Sequence, residues 1–313
     1  MNLLLYRIFF TGILSCSLFI ACNIEDDRDL CCDQASMEYQ YISDEKDLFA
    51  QNITSLRYFL FDEQGMFLQE MQEEKNLRYQ SLQGLNTGSY TMVTVGNAAK
   101  ATLLVPPAYG SSMDGFMLTV KEIETGNSDP LYYGICPFTI NKRNVNQKFV
   151  TQMANVHCKL KVTVKWKNLP PVLSADSCYR ITLENCASGY ELNGKDGYSL
   201  GEKNFPRSPQ WNQLHYLQLA TDNLELKGQF ISLRYADRQL PTLRVFCIQE
   251  GKYEEITPAI DLNKAFTAWG YYPSSVERQE YKIIITVYMG GHVGVKLETE
   301  AGVLDWISGG TFG

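Results

Sequence analysis

The chain has 313 residues, of which 45% are hydrophobic and 20% are charged, and its net charge at pH 7 is −7. This composition is typical of a globular protein with a hydrophobic core, and the length suits about two domains. The acidic balance argues against a nucleic-acid partner, because nucleic-acid binding needs a basic face. The 19 tyrosines and 15 phenylalanines favour strands.

The first 21 residues are predicted to be a signal peptide. Arg7 is the only charged side chain there, and the apolar run at 8–21 has roughly 14 residues, whereas a membrane-spanning helix needs about 20. Cys22 follows a small residue and resembles the lipidated cysteine of a bacterial lipobox, although Phe19 stands where leucine is usual. We predict that Cys22 carries a lipid that anchors the chain to a membrane. The alternative is an ordinary signal peptide followed by a chance cysteine.

Residues 22–34 are predicted to form a flexible, charged leash. The acidic residues of the leash are Glu25, Asp26, Asp27, Asp29 and Asp33, and its one basic residue is Arg28. Such a segment cannot bury enough apolar surface to fold. The first four acidic residues resemble the acidic export signal that follows the lipidated cysteine in surface lipoproteins of Bacteroides-like bacteria. The alternative is a plain solvated linker.

Residues 35–153 are predicted to form an N-terminal β-sandwich. Short runs of alternating apolar and polar residues, separated by Gly, Pro and Asn turns, predict antiparallel strands rather than helices. The predicted strands are 37–41, 53–61, 66–71, 89–95 and 131–140. The region 98–126 is mixed in character and has room for a short helix.

Residues 154–313 are predicted to form a second, C-terminal β-sandwich. In the stretch 148–166, Leu160, Val162 and Val164 face one way and lysines face the other, which predicts a half-buried strand with a solvated basic face. Further strands are predicted at 179–185, 231–235, 242–249, 253–256, 281–289, 292–298 and 302–307. The predicted fold class is therefore all-β.

The cysteines give no metal motif. After Cys16 and Cys22, seven remain, so not all of them can pair within the chain. They are Cys31, Cys32, Cys136, Cys158, Cys178, Cys186 and Cys247. Cys158 shares the apolar face of its strand and is interpreted as a core residue. Cys178 and Cys186 flank a strand, and a disulfide between them is one alternative in an oxidising compartment. No pair has the C-x-x-C spacing of a zinc site.

No catalytic motif is present. The sequence has no G-x-S-x-G elbow, phosphate-binding loop or H-E-x-x-H motif. His157, His215 and His292 are far apart, and we interpret each as a structural or surface residue. The prediction is therefore a protein that is not an enzyme and has no cofactor, metal site or catalytic residue. A hydrolase whose acidic residues come from distant loops stays open.

The order of several segments resembles one family. These segments are the lipobox with its acidic stretch, 31–32, 36–39, 56–65, 85–93, 154–160 and 303–306. Together they look like the fimbrillin-associated anchor lipoproteins of Bacteroides-like bacteria, the minor fimbria anchor family. The resemblance implies two transthyretin-like β-sandwich domains and a non-enzymatic protein of the cell surface. It also implies that the protein holds the base of a fimbria to the outer membrane, with fimbrial shaft subunits as partners.

The resemblance also assigns a role to both ends of the folded chain. The predicted first strand, 35–42, contains no Arg or Lys, so it offers no site to the Arg-specific protease that removes this strand from related pilins. In an anchor that keeps its first strand, this strand fills the groove that a neighbouring subunit's strand would otherwise enter. The anchor must then offer a strand of its own or dock a surface. Val303, Leu304, Trp306 and Ile307 are the candidate strand. The alternative is that they form the last strand of the second sandwich.

A surface glycan-binding lipoprotein is the alternative function. Such a protein needs exposed aromatic side chains on a rigid face, and Trp211, Tyr271 and Tyr272 are the candidates.

Overall fold

The computed structural model describes residues 35–121, 127–141, 146–167, 178–219, 225–288, 292–299 and 302–307. The strands of the N-terminal part, residues 35–155, are β1 (Ser36–Gln40), β2 (Ile42–Ser43), β3 (Lys46–Asp47), β4 (Leu56–Asp62), β5 (Phe67–Met71), β6 (Tyr79–Ser81), β7 (Gly88–Gly96), β8 (Thr102–Leu104), β9 (Met117–Val120), β10 (Tyr132–Ile140), β11 (Lys148–Gln152) and β12 (Ala154–Asn155).

The strands of the C-terminal part, residues 156–307, are β13 (His157–Trp166), β14 (Cys178–Cys186), β15 (Gly189–Glu191), β16 (Tyr198–Leu200), β17 (Lys203–Phe205), β18 (Arg207–Gln210), β19 (Gln213–Leu219), β20 (Glu225–Leu233), β21 (Thr242–Gln249), β22 (Lys252–Glu255), β23 (Ile260–Asp261), β24 (Gln279–Val287), β25 (Val293–Thr299) and β26 (Gly302–Ile307). Helical segments in the described residues are α1 (Phe49–Asn52), α2 (Leu262–Ala268) and a 3-10 helix (Pro273–Ser275). The predicted all-β fold class is confirmed.

The central layer of the N-terminal part is a five-stranded sheet with the order β12–β10–β7–β4–β5. Along β4, Tyr58 and Leu60 pack in one hydrophobic core, and Phe59 and Phe61 pack in another. Successive side chains of a strand point to opposite faces, so a sheet that is covered on both faces needs a continuous apolar run. The run at 58–61 meets that need.

A three-stranded sheet, β11–β1–β6, covers one face of this layer. Met37 and Tyr39 of β1 point into the shared core and are fully buried. The rings of Tyr39 and Tyr58 lie 5.4 Å apart between centroids, which joins the two layers through an aromatic contact. The first strand is therefore a structural part of the N-terminal core.

The other face is covered by strands from both sides of residue 154. The four-stranded sheet β18–β15–β9–β8 lies there, and Tyr190 of β15 is the register partner of Leu118 of β9. Both side chains pack in the core that contains Phe59 and Phe61. The two-domain division at residue 154 and its transthyretin-like character stay predictions. If the chain is divided into domains according to its hydrophobic cores, β15 and β18 belong to the N-terminal part.

Two sheets enclose a separate core in the C-terminal part. One has the order β20–β13–β24–β25–β26, and the other has the order β19–β14–β21–β22. Leu160, Val162 and Val164 of β13 point into this core, as their alternation predicted. The strand β13 runs parallel to β24 and antiparallel to β20.

The outer face of β13 carries the predicted lysine row. Lys159 Nζ lies 3.3 Å from a carboxylate oxygen of Glu280, and Lys165 Nζ lies 3.0 Å from one of Glu225. Exposed pairs of this kind contribute at most about 1 kcal/mol each. These two lysines are neutralised by acids on the neighbouring strands, which supports the interpretation of a solvated face rather than a binding site for an acidic ligand.

Several short elements escaped the sequence interpretation. The interval 98–126 has no helix among its described residues and forms β8 and β9 instead. The helix α2 was missed, although Asp261 accepts a hydrogen bond from the backbone N–H of Lys264 as an N-cap residue does. The stretch 148–166 is divided into three strands, β11, β12 and β13.

The structure corrects one cysteine alternative and confirms another interpretation. Cys178 and Cys186 lie at opposite ends of β14, and both are free thiols. The strand separates them by roughly 26 Å at about 3.3 Å per residue, whereas a disulfide needs Cα atoms within about 7 Å. A disulfide between them is therefore wrong. Cys158 is fully buried in the C-terminal core, as interpreted.

Candidate functional site

The first strand lies in the middle of its sheet. β1 pairs in parallel with β11, with Ser36 opposite Lys148, and antiparallel with β6, with Ser36 opposite Ser81. A strand with partners on both sides has its backbone N–H and C=O groups used on both edges. The place between β6 and β11 is therefore occupied by the chain's own residues.

A polar cluster on the outer side fixes β1 in this place. Lys148 Nζ lies 2.6 Å from one carboxylate oxygen of Glu38, and Arg78 Nε lies 3.5 Å from the other. The hydrogen bond from Lys148 lowers the pKa of Glu38, although partial burial of the carboxyl acts in the opposite direction. Arg78 also pairs with Asp47. These contacts join β1 to β3, β11 and the segment before β6.

A cleft of about 770 Å³ lies at the start of β1, lined in part by Ala35, Tyr79 and Lys148. Cys22 and the residues predicted to carry the export signal, Glu25, Asp26, Asp27 and Asp29, lie outside the described residues. Thirteen peptide links separate Cys22 from Ala35. Fully extended, that length of chain spans at most roughly 45 Å. A lipid on Cys22 would hold β1 within that distance of a membrane.

The candidate partner strand lies at the edge of a sheet. In β26, Val303 is opposite Glu298 and Leu304 is opposite Leu297 of β25. Among the described residues, β26 has no strand on its other side. An edge strand presents unpaired backbone groups to an incoming strand. Val303, Leu304, Trp306 and Ile307 therefore lie together on the edge strand of the described sheet.

The three histidines do not form a catalytic group. His157 is buried, its Nδ1 donates a 2.9 Å hydrogen bond to the carbonyl of Leu131, and burial lowers its pKa to about 4. His215 is buried on β19, and His292 is exposed beside β25. In the described part of the chain, no three His, Cys, Asp or Glu side chains are grouped as metal ligands.

The aromatic candidates for glycan binding differ in how far they are exposed. Trp211 packs against the core of the N-terminal part and lines a cleft of about 380 Å³ that Tyr198 also lines. Tyr271 packs in the C-terminal core, with its ring 5.7 Å from that of Tyr281. Tyr272 is 55% exposed. The sequence offered these three residues as candidates for exposed aromatic side chains, and of the three only Tyr272 is exposed.

A buried arginine joins the two parts of the molecule, and sequence reasoning missed it. Arg234 follows β20 and is 4% exposed. Its guanidinium donates to the hydroxyl of Tyr198 at 2.9 Å and to the carbonyls of Asn155 at 3.1 Å, Glu277 at 2.5 Å and Val276 at 2.5 Å. Arginine can satisfy this many acceptors because its donors form a planar fork.

A second cation lies at the same junction. Lys203 of β17 donates to the carbonyl of Ile42 and pairs with the carboxylate of Glu277. Arg278 Nη1 lies 3.6 Å from a carboxylate oxygen of Asp44. These contacts tie the segment that follows β1 to the segment that leads into β24. The nearest sequence signal is Lys203 itself, a cation two residues before the apolar Phe205, and nothing in the sequence identifies its partners.

Comparison with known proteins identifies the family. Residues 29–307 match the family described as the fimbrillin-A associated anchor proteins Mfa1 and Mfa2. This chain belongs to the Mfa2 family. The resemblance that the sequence motifs indicated is confirmed. A search among curated proteins finds no match.

Solved structures of low sequence identity share the fold. The fimbrial anchor protein Mfa2 from Porphyromonas gingivalis is 13% identical, with a TM-score of 0.59, over 87% of this chain and 98% of that protein. A Bacteroides ovatus protein described as a proposed adhesin is 14% identical, with a TM-score of 0.61, over 89% and 96%. A Bacteroides thetaiotaomicron protein described as a proposed polysaccharide-binding protein is 14% identical, with a TM-score of 0.61, over 86% and 96%.

Membership of the Mfa2 family associates this protein with fimbriae at the cell surface and with fimbrial subunits as partners. The described residues contain no helix that is long and apolar enough to cross a membrane. The family match begins at residue 29, so it does not include Cys22 or three of the four acidic residues of the predicted export signal.

Proposed function

We propose that this Mfa2-family protein is an outer-membrane lipoprotein that holds the base of a fimbria at the cell surface. Cys22 is the lipid attachment point, the acidic residues of the leash direct export to the surface, and fimbrial shaft subunits are the partners. Holding a fimbria at the membrane needs neither a catalytic group nor a cofactor in this protein. Family membership and the prediction of a lipobox support this proposal.

The observation that carries the proposal is the position of β1. Between β6 and β11, the first strand completes its own sheet, with Met37 and Tyr39 fully buried. A subunit that accepts a donor strand from a neighbour needs this position empty. A subunit that keeps its first strand ends the polymer instead, and a lipid joined to that strand fixes the end to the membrane.

The attachment point is tested by Cys22→Ser, with Cys32→Ser as the matched control in the same segment. We expect Cys22→Ser to leave the detergent phase, lose palmitate labelling and release fimbriae into the medium. Cys32→Ser should behave as the wild type. Continued palmitate labelling of Cys22→Ser contradicts the proposal.

The export signal is tested by replacing Glu25, Asp26, Asp27 and Asp29 with alanine. We expect lipidation to continue, while cleavage by protease added to whole cells decreases because the protein no longer reaches the surface. The matched control replaces four exposed acidic residues of the folded part, Glu63, Glu74, Glu202 and Glu254. Unchanged cleavage of the leash variant would leave the leash as a plain linker.

Glycan binding is the second candidate function, and one relative is described as a proposed polysaccharide-binding protein. Trp211 and Tyr198 line a cleft at the junction, which is the specific observation in its favour. Affinity electrophoresis of Trp211→Ala separates the two functions. If the protein binds glycan at this cleft, glycan in the gel should retard the wild type more than Trp211→Ala. If it is an anchor without glycan binding, glycan should not change the mobility of either protein.

A further inference from the structure

The outer face of the sheet β19–β14–β21–β22 carries aromatic side chains around one arginine. Ile181 and Leu183 of β14 point into the C-terminal core, so Arg180 points to the opposite, solvent-facing side. By strand register, Phe246 of β21 is directly opposite Arg180, and Tyr253 of β22 is on the same face. We call the group Arg180, Tyr216, Phe246 and Tyr253 the aromatic–arginine face.

The rings hold the guanidinium between them. The central guanidinium carbon of Arg180 lies 4.4 Å from the ring centroid of Tyr216 and 4.8 Å from that of Tyr253. The ring of Phe246 packs edge-on against Tyr253 at 6.3 Å. Cation–π contacts at such distances orient both the cation and the rings. The face therefore presents aligned rings on a rigid sheet instead of freely rotating side chains.

The arginine has no acidic partner in the described part of the chain. Its one hydrogen bond there is from Nη2 to the side-chain oxygen of Gln218 at 3.4 Å, and its Nε is buried without an acceptor. Arg244 on the same face differs, because it pairs with Glu184 at 3.2 Å and Glu255 at 3.0 Å. One positive charge is therefore left among the aromatic rings, with Nη1 as its free donor.

We propose that the aromatic–arginine face binds a polysaccharide chain that carries carboxylate groups, such as a polymer of hexuronic acid. Tyrosine rings stack on the apolar faces of sugar rings, and Nη1 of Arg180 can donate to a sugar carboxylate, since guanidinium and carboxylate form strong charge-assisted hydrogen bonds. The hydroxyls of Tyr216 and Tyr253 make no hydrogen bond with any described residue and are available to sugar hydroxyls.

The size of the face favours a polymer strand over a protein partner. An aromatic side chain buries about 150–250 Å² when it is covered completely, and these rings are already partly covered. The face thus supplies a few hundred Å², whereas a stable protein–protein interface buries about 800 Å² on each partner. A second copy of this chain therefore fits the face less well than a slender polysaccharide does.

The net charge of −7 repels a polyanion at long range, so the contact has to act at short range. At 0.15 M salt the screening length is about 8 Å, so charges far from the face are largely screened, and the carboxylates of Glu184 and Glu255 on the face are paired with Arg244. The test is native affinity electrophoresis of the full chain in 0.15 M NaCl, with polygalacturonate or neutral dextran in the gel. The variants are Arg180→Gln and Tyr253→Ala, with Tyr109→Ala as the control, because Tyr109 is an exposed tyrosine outside every candidate site.

We expect polygalacturonate, and not dextran, to retard the wild type and Tyr109→Ala. Each of the two face variants should bind about tenfold more weakly, as expected for the loss of one charge-assisted hydrogen bond or one stacking ring. Tyr253 is 53% exposed, so Tyr253→Ala keeps the test valid even if Arg180→Gln melts early.

Three electrophoresis results and one sedimentation result overturn the proposal. The electrophoresis results are no retardation of the wild type by polygalacturonate, equal retardation by dextran, and unchanged binding by both face variants. A wild type that sediments as a dimer, with Tyr253→Ala as a monomer, also overturns it, because the face would then be covered by a second copy. None of these results bears on anchoring, which is measured by the release of fimbriae.

Discussion

The hydroxyl of Tyr190 donates a 2.7 Å hydrogen bond to the main-chain carbonyl of Val156. The same oxygen accepts a 2.9 Å hydrogen bond from the backbone N–H of Arg234. Tyr190 belongs to β15, which packs with the N-terminal core, whereas Val156 precedes β13 and Arg234 follows β20. One phenol hydroxyl thus joins β15 to the residues that flank β13 and β20 of the C-terminal sheet.

Tyr190→Phe should destabilise the protein by about 1–3 kcal/mol. The change keeps the ring but leaves a buried carbonyl and a buried N–H without a partner, and the cost of such groups is in this range. Urea denaturation at 25 °C measures the effect as a lower midpoint with an unchanged slope. Tyr272→Phe is the control, because its side chain is exposed. Equal midpoints for the two variants would contradict the role of this hydroxyl.

Arg234→Lys should cost more than a conservative change usually does. An ammonium group cannot reach four acceptors on three segments of chain, so it leaves the buried carbonyl of Asn155 and the partly buried carbonyl of Val276 unpaired. We expect a loss of roughly 2–4 kcal/mol. Arg238→Lys, at an exposed position, is the control and should stay within about 0.5 kcal/mol of the wild type. A small effect of Arg234→Lys would mean that water satisfies the carbonyls.

Stability should fall in mild acid because of His157. Burial lowers the pKa of His157 to about 4 in the folded chain, whereas an unfolded histidine has a pKa near 6.5. Between these values the unfolded chain binds the extra proton, so the contribution is complete above pH 6.5 and is lost as the pH falls towards 4. The full contribution is about 3 kcal/mol, of which about 2 kcal/mol is lost by pH 5.

His157→Gln separates this effect from general acid denaturation. Glutamine does not titrate, so the difference between the urea midpoints at pH 7 and pH 5 should shrink, whatever the loss of the hydrogen bond to Leu131 costs at both pH values. His292→Gln, at an exposed position, should retain the wild-type difference. Equal pH dependence in the wild type and His157→Gln would rule out His157 as the source. Release of fimbriae should be unaffected by either change as long as the protein folds.

Sequence patterns predicted the strands that have one face in a hydrophobic core and the other face in solvent. The strand β13 was identified because Leu160, Val162 and Val164 point inwards and lysines point outwards, which alternation records directly. The continuous apolar run 58–61 indicated a strand, but not that its sheet is covered on both faces by two different layers. A hydrophobic run records burial and carries no information about what covers it.

Partners that are distant in sequence were beyond prediction. Ser36 is the partner of Lys148 in a parallel strand pair. Backbone hydrogen bonds of this kind do not depend on which side chains the residues carry, so the sequence does not reveal them. The ties of Arg234 to main-chain carbonyls are invisible for the same reason. Arg180 and Tyr253 were read as ordinary strand residues, because only the register of β14, β21 and β22 shows that they share a face.

The edge strand β26 provides the test of how a fimbria is attached. β26 pairs with β25 and has an open edge among the described strands, so two modes of attachment are compatible with its position. In one mode, β26 leaves its sheet and is donated to the first shaft subunit. In the other, β26 stays in place and a strand of the shaft subunit pairs with its open edge.

Removal of residues 302–313 should release fimbriae in either mode, and a disulfide separates the two. Glu298 and Val303 are register partners, and directly opposed residues of antiparallel strands have Cα atoms about 4.5–5.5 Å apart, within the range of a disulfide. In the double variant Glu298→Cys, Val303→Cys, oxidation locks β26 to β25. If β26 is donated, fimbriae should be shed under oxidising conditions and retained after reduction.

If the shaft subunit pairs with the open edge, the locked protein should hold fimbriae in both conditions. The single variant Val303→Cys controls for loss of the side chain, and the melting temperature controls for folding. A truncated protein that keeps its fimbriae would exclude both modes and remove 302–313 from the attachment site. A truncated protein that melts early and is degraded would instead identify β26 as a structural strand of its own sheet, as expected when packed residues are lost from a sandwich.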